Sequence, residues 1–140
     1  MRFSILLLAL LILSACGSPE PPLVVSELEI TEPMPGMQMS AGYLVITNNT
    51  DATSRITRVS SPQFEAVELH ETTITDGVSR MRELEELLVP AGSSVVLERG
   101  GKHLMLMRPR DLQDSVTLQF FSEDLPVLSV TYSFSGDERK

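Results

Sequence analysis

The chain of 140 residues has no tryptophan, and aromatic residues make up only 5% of it. It therefore has little with which to stack nucleic-acid bases. Basic residues are also scarce, with 11 Lys+Arg against 19 Asp+Glu and a formal net charge of −8. Such a surface cannot neutralise a row of phosphates, which argues against nucleic acid as a partner. Cys16 is the only cysteine, so no disulfide can form within the chain. His70 and His103 are the only histidines, and neither belongs to a defensible serine–histidine–acid set. The glycines at 100 and 101 do not lead into a phosphate-binding glycine-lysine-serine/threonine loop. No enzyme is expected. The length suits one domain with one modest core.

The start is "MRFSILLLALLILSAC". One arginine precedes an apolar run that is short for a permanent membrane span, so residues 1–15 read as a signal peptide. The run ends in "LSAC", which resembles a bacterial lipobox, with Cys16 as the lipidated first residue of the mature protein. Lipidation also accounts for a lone cysteine in an exported chain, where a free thiol is a liability. The resemblance implies a lipid-anchored protein of the Gram-negative envelope, with its domain in the periplasm. Gly17 follows the cysteine, where an aspartate would signal inner-membrane retention, so the outer membrane is favoured. Residues 16–22, the cysteine and "GSPEPP", form a short tether, and a domain is expected over 23–140.

The domain reads as short strands punctuated by turns. "LVVSELEI", "AGYLVITN", "SRITRVSS", "AVELHETTIT", "VSRMRELE", "SSVVLE", "KHLMLMR", "SVTLQFF" and "VLSVTYSF" follow one another, separated by Gly, Pro, Asn and Asp. That pattern predicts an all-β sandwich of Greek-key type. "MRELEELL" carries some 3.6-residue periodicity, but it is short and runs into Pro90.

Asp76-Gly77 is a strong hairpin signal of the type I′ turn. With those two residues as the loop, Thr72 pairs with Met81 and His70 with Glu83. His70 and Met81 then become diagonal neighbours on one face, roughly 7–8 Å apart by Cα. In "KHLMLM", His103, Met105 and Met107 alternate with leucines and share a second face. Sequence alone cannot show that the two groups meet. Nor can it say whether the second is a core row or half of a metal site. If they do meet, the donor set is informative. Thioethers are soft and imidazole suits copper, so the set favours Cu(I), with Ag(I) as a mimic. Zinc recruits Cys, His or carboxylate, and calcium or magnesium recruits oxygen. A histidine ligand must be neutral, so binding should weaken below roughly pH 6.5, the reference value for imidazole.

The spacing from His70 to Met81 to His103-x-Met105 closely resembles the signature of the periplasmic copper chaperones called the PCuAC family. "PGMQMSAGYLVITNNT" and "VPAGSSVVLERGGKHLMLM" resemble the stretches that flank it. The resemblance runs from about Leu23 to Phe134. It implies a cupredoxin-like β-sandwich holding one Cu(I) through His70, Met81, His103 and Met105, with Met107 left as a packing neighbour. It also implies delivery to the copper centre of a cytochrome c oxidase subunit, alongside a Sco-type thiol chaperone. Copper buffering or resistance without delivery is the alternative within the same chemistry. A structural envelope lipoprotein without metal is the alternative outside it. A blue-copper electron-transfer role is not expected, because that centre needs a cysteine thiolate. Glu71 stands where some family members carry methionine. The tail "SGDERK" has no His or Met for a second copper. Met34, Met37 and Met39, in "PMPGMQM", are read together with Met107 as a candidate docking or transfer rim.

Overall fold

The computed structural model describes residues 20–33, 36–112 and 114–134. The signal peptide, Cys16, Met34 and the tail after Phe134 lie outside the described residues. Eleven strands follow in order: β1 (Leu23–Ile30), β2 (Met39–Asn48), β3 (Ser54–Ile56), β4 (Arg58–Ser60), β5 (Phe64–Thr75), β6 (Val78–Glu83), β7 (Leu87–Val89), β8 (Ser94–Leu97), β9 (Lys102–Pro109), β10 (Ser115–Ser122) and β11 (Leu125–Ser133). The fold is all-β, as expected.

The sandwich is built from one continuous sheet. Its strands run β1-β2-β9-β5-β4-β10-β11, with β6 added to β5 and β8 added to β2, while β3 and β7 form a separate pair. β11 packs beside β1, so the sheet nearly closes on itself. Near-closure hides most of the unpaired edge that an open sheet would leave. The neighbours β2/β9, β9/β5 and β4/β10 are far apart in sequence.

Alternation explains the core. On β10, Val116, Leu118 and Phe120 are fully buried, and on β9 Leu104 and Leu106 are too. On β2 the inward row is Ser40, Gly42, Leu44, Ile46 and Asn48. Gly42 faces Leu104 in the ladder. A Cβ there would lie 3.2 Å from both Leu104 Cβ and Leu106 Cδ1, so glycine lets β2 and β9 close over the core. The inward amide of Asn48 is satisfied. Its Nδ2 donates to the carbonyls of Ala52 (2.8 Å) and Val89 (2.9 Å), and its Oδ1 accepts from the Thr50 backbone N–H (3.0 Å).

The helical periodicity of "MRELEELL" is not realised. Met81–Glu83 ends β6, and Leu87–Val89 forms β7. Leu87 and Val89 point into the core while Leu88 is exposed. A three-residue strand carries too few alternations to stand out in sequence.

Candidate metal centre

The hairpin forms with the expected register. Thr75 pairs with Val78, Thr72 with Met81, and His70 with Glu83. Asp76 (φ 52°) and Gly77 (φ 78°) both adopt the left-handed conformation that a type I′ turn requires. Met81 is thus diagonal to His70 on the same face, one strand away.

Pairing of β5 with β9 brings the second group in. His70 stands directly opposite His103, and Glu68 opposite Met105. The two imidazole rings are 6.0 Å apart by centroid and tilted by 36°. Met105 is two residues from His103 on β9, so it lies diagonally across from His70. His70, His103 and Met105 therefore form one compact group. Met81 flanks it from the other side and is 54% exposed. On the ladder, Met81 sits level with Thr72 and Met105 level with Glu68. That offset is about 13 Å at about 3.3 Å of rise per residue. The exposed hairpin must bend or twist inward before all four donors can meet one ion.

These side chains leave the outer face of the sheet, because Leu104 and Leu106 fill the inner one. The row of His103, Met105 and Met107 therefore does not belong to the inner core row of β9. His103 is nonetheless only 5% exposed. The tight turn before β9, with Gly100 at φ 79°, presents it. There the Gly101 carbonyl accepts the Thr72 backbone N–H at 3.0 Å. The same carbonyl lies 3.1 Å from His103 Nδ1. One oxygen thus ties the ring of His103 to the strand that carries His70.

Met107, Met39 and Met37 extend the same face. Met107 pairs with Met39 of β2 and with Ala66 of β5, and Met105 pairs with Ala41. A cleft of about 370 Å³ adjoins Met105, and Met37, Met39, Tyr43 and Arg99 line it. Met37 and Met39 are 48% and 43% exposed. A run of accessible thioethers thus leads up to the histidine pair.

Glu71 plays no part in this face. Alternation turns it away from His70. It accepts from Arg82 Nη2 at 2.7 Å and pairs with Lys102 Nζ at 3.1 Å. Those two cations, Arg82 first, hold its carboxyl below the usual carboxylate range. Glu71 therefore ties β6, β5 and β9 together from behind the site. Glu65 is likewise held low by Arg108, 3.0 Å away.

Sequence reasoning missed Glu68. Its Oε2 lies 2.9 Å from His70 Nε2. The spacing Glu-x-His within a strand was the available signal, since residues two apart share a face. Among the described residues, no three His, Cys, Asp or Glu side chains gather where they could hold a metal ion. A metal centred on the two histidines would have to draw on methionine, and that donor set selects a soft, thiophilic ion.

This architecture recurs in solved structures and has the cupredoxin-like fold of PCuAC domains. It is similar to the "Copper-bound PCuAC domain from PmoF2", with a TM-score of 0.59, 20% identity, and coverage of 80% of this chain and 89% of that one. The "Apo PCuAC domain from PmoF1" gives a TM-score of 0.61 at 19% identity, covering 81% and 93%. "CuI-DR1885" from Deinococcus radiodurans gives 0.58 at 25% identity, covering 84% and 78%.

The family model described as "Putative lipoprotein LpqE-like" matches residues 23–131, and the chain belongs to that family. Among curated relatives it is 32% identical over 108 residues to "Putative lipoprotein Lxx21020" of Leifsonia xyli subsp. xyli. It is 28% identical over 89 residues to "Uncharacterized protein RP573" of Rickettsia prowazekii. The matches span 65% and 49% of those relatives' own lengths.

Proposed function

We propose that the chain is an exported Cu(I) chaperone that holds one ion through His70, His103, Met105 and Met81. The observation that carries this reading is the cross-strand pair His70/His103, with rings 6.0 Å apart and thioethers on the same outer face. Two structurally similar domains, that of PmoF2 and DR1885, are known with copper bound, which supports the same reading. Two imidazoles and two thioethers suit Cu(I) and suit hard cations poorly.

Transfer proceeds by ligand exchange. Thioethers are neutral and weakly held, so a partner's thiolate or thioether can enter as a methionine leaves. Met81 is the natural leaving ligand, since it is the exposed member of the set and sits on a two-stranded extension. Met37, Met39 and Met107, with Met34, form the rim along which copper or a partner approaches. The acceptor is the copper centre of a cytochrome c oxidase subunit, with a Sco-type thiol chaperone as co-worker. Cys16 carries the lipid anchor, which confines the domain to a periplasmic membrane surface, the outer membrane being favoured.

Anaerobic Cu(I) titration tests the site. One Cu(I) per chain is expected, with nitrogen and sulfur neighbours in X-ray absorption. His103→Ala should weaken binding by more than about 100-fold, beyond the 10–100-fold typical of losing a supporting residue. Absence of stoichiometric binding by the wild-type chain would overturn the reading. Oxidase assembly in a deletion strain under copper limitation separates delivery from buffering, because only delivery requires it. Replacing the rim methionines should slow transfer to an acceptor while leaving equilibrium binding intact.

A further inference from the structure

Resting on the Cu(I) reading, we propose that Glu68 is a positioning residue that fixes which nitrogen of His70 meets the metal. The hydrogen bonds to the two rings are complementary. In His70, Nε2 lies 2.9 Å from Glu68 Oε2. An ionised carboxylate only accepts, so Nε2 carries the proton and donates it. In a neutral ring the lone pair then resides on Nδ1. That Nδ1 is buried and has no hydrogen-bond partner. Buried polar atoms without partners are few in folded proteins and call for an explanation. A metal ion supplies one here.

The other ring has the opposite polarity. His103 Nδ1 donates to the Gly101 carbonyl at 3.1 Å, which leaves Nε2 as its free donor atom. Each imidazole thus has one nitrogen held by an acceptor of the protein and one available: Nδ1 of His70 and Nε2 of His103. Metal-binding histidines commonly donate their second N–H to a carboxylate or a carbonyl, which sets the tautomer and ring orientation and raises ligand basicity. The chain uses one of each.

Glu68 is well placed for this role. It lies two residues before His70 on β5, faces Met105 across the β5/β9 ladder, and its side chain is one-third exposed. Glu83, directly opposite His70 on β6, is exposed to solvent. Glu71 is engaged with Arg82 and Lys102 on the reverse face. Of the three carboxylates around His70, Glu68 is the one that reaches the ring.

The test uses the protein with ¹⁵N-labelled histidine and long-range ¹H–¹⁵N spectra. Without metal, His70 should show a protonated Nε2, slow to exchange with water, and a bare Nδ1. One equivalent of Cu(I), added anaerobically, should shift His70 Nδ1 and His103 Nε2. Glu68→Ala should weaken Cu(I) binding by about 10–100-fold and expose the Nε2 proton to rapid exchange, with the melting temperature unchanged. Glu68→Gln keeps an acceptor oxygen and should recover most of the affinity. A Cu(I)-induced shift at His70 Nε2 would overturn the proposal, as would wild-type affinity in Glu68→Ala, and either would leave the chaperone reading standing. A wild-type chain that takes up no Cu(I) would overturn both, and the first titration would reveal it before any Glu68 variant is made.

Discussion

The two faces of β9 are made from the same eight residues and do opposite work. Inward, Leu104 and Leu106 are fully buried and packed against Gly42 of β2. Outward, His103, Met105 and Met107 form a row of donors with no core above it. The inner face owes its fit to shape and to water exclusion. The outer face instead presents one imidazole and two thioethers. A strand with period two lets one segment serve both ends, because successive side chains never compete for the same space. The β5–β6 hairpin shows the contrast from another side. It carries Met81 into solvent, with Ile74 and Val78 also exposed, and has no second layer to hold it.

The sharpest way to break the comparison is on the inner face. Leu104→Ala should cost about 2–5 kcal/mol of folding stability, measurable by denaturant unfolding, with the Cu(I) stoichiometry of the surviving folded protein unchanged. A loss of stoichiometry in folded protein would show that the two faces are not separable. On the outer face the expectation reverses. Met105→Ala should abolish tight Cu(I) binding with little effect on stability, whereas Met107→Ala, across from Met39 rather than Glu68, should only loosen it. Equal effects from the two variants would mean that the row is a shared thioether surface rather than one ligand and its neighbour.

Gly77→Ala probes the hairpin. A Cβ there meets nothing within 4 Å, so the cost comes from the backbone at φ 78°, about 1 kcal/mol. It should appear as faster amide exchange confined to β5–β6 and as weaker Cu(I) binding through Met81, with the rest of the barrel protected as before. The smallest effect is expected at Glu71. Arg82 and Lys102 lower its folded pKa, so its stabilising contribution is complete above the unfolded value. It is lost as pH falls through the lowered folded value. Glu71→Gln should flatten that part of the acid unfolding curve and leave neutral-pH stability little changed. A large loss of Cu(I) affinity in the same variant would place Glu71 in the site after all.

Much of the fold could be read in advance because its signals are local. "LVVSELEI" became β1 residue for residue, and the Asp76-Gly77 turn fixed the register of six residue pairs. "SRITRVSS", by contrast, splits into β3 and β4, which join different sheets. β7 leaves little local mark in the sequence, because its pairing with β3 joins residues more than thirty positions apart. Glu68 is one acid among many in the chain. In sequence only its Glu-x-His spacing separates it from Glu65 and Glu71, and the 2.9 Å contact with His70 is what gives that spacing weight.

By itself, then, the sequence determined what short range controls: alternation along each strand, the turn that sets Met81 beside His70, and the soft donor set that two histidines and the methionines offer. The tertiary structure alone decided that β5 lies against β9, so that His70 meets His103 and Glu68 meets Met105. It also decided that this row faces outward. The physical reason is range. A turn is settled by the torsions of two residues. A pairing between distant strands is settled by which arrangement buries Leu69, Leu104 and Leu106 together, and that depends on the whole core at once.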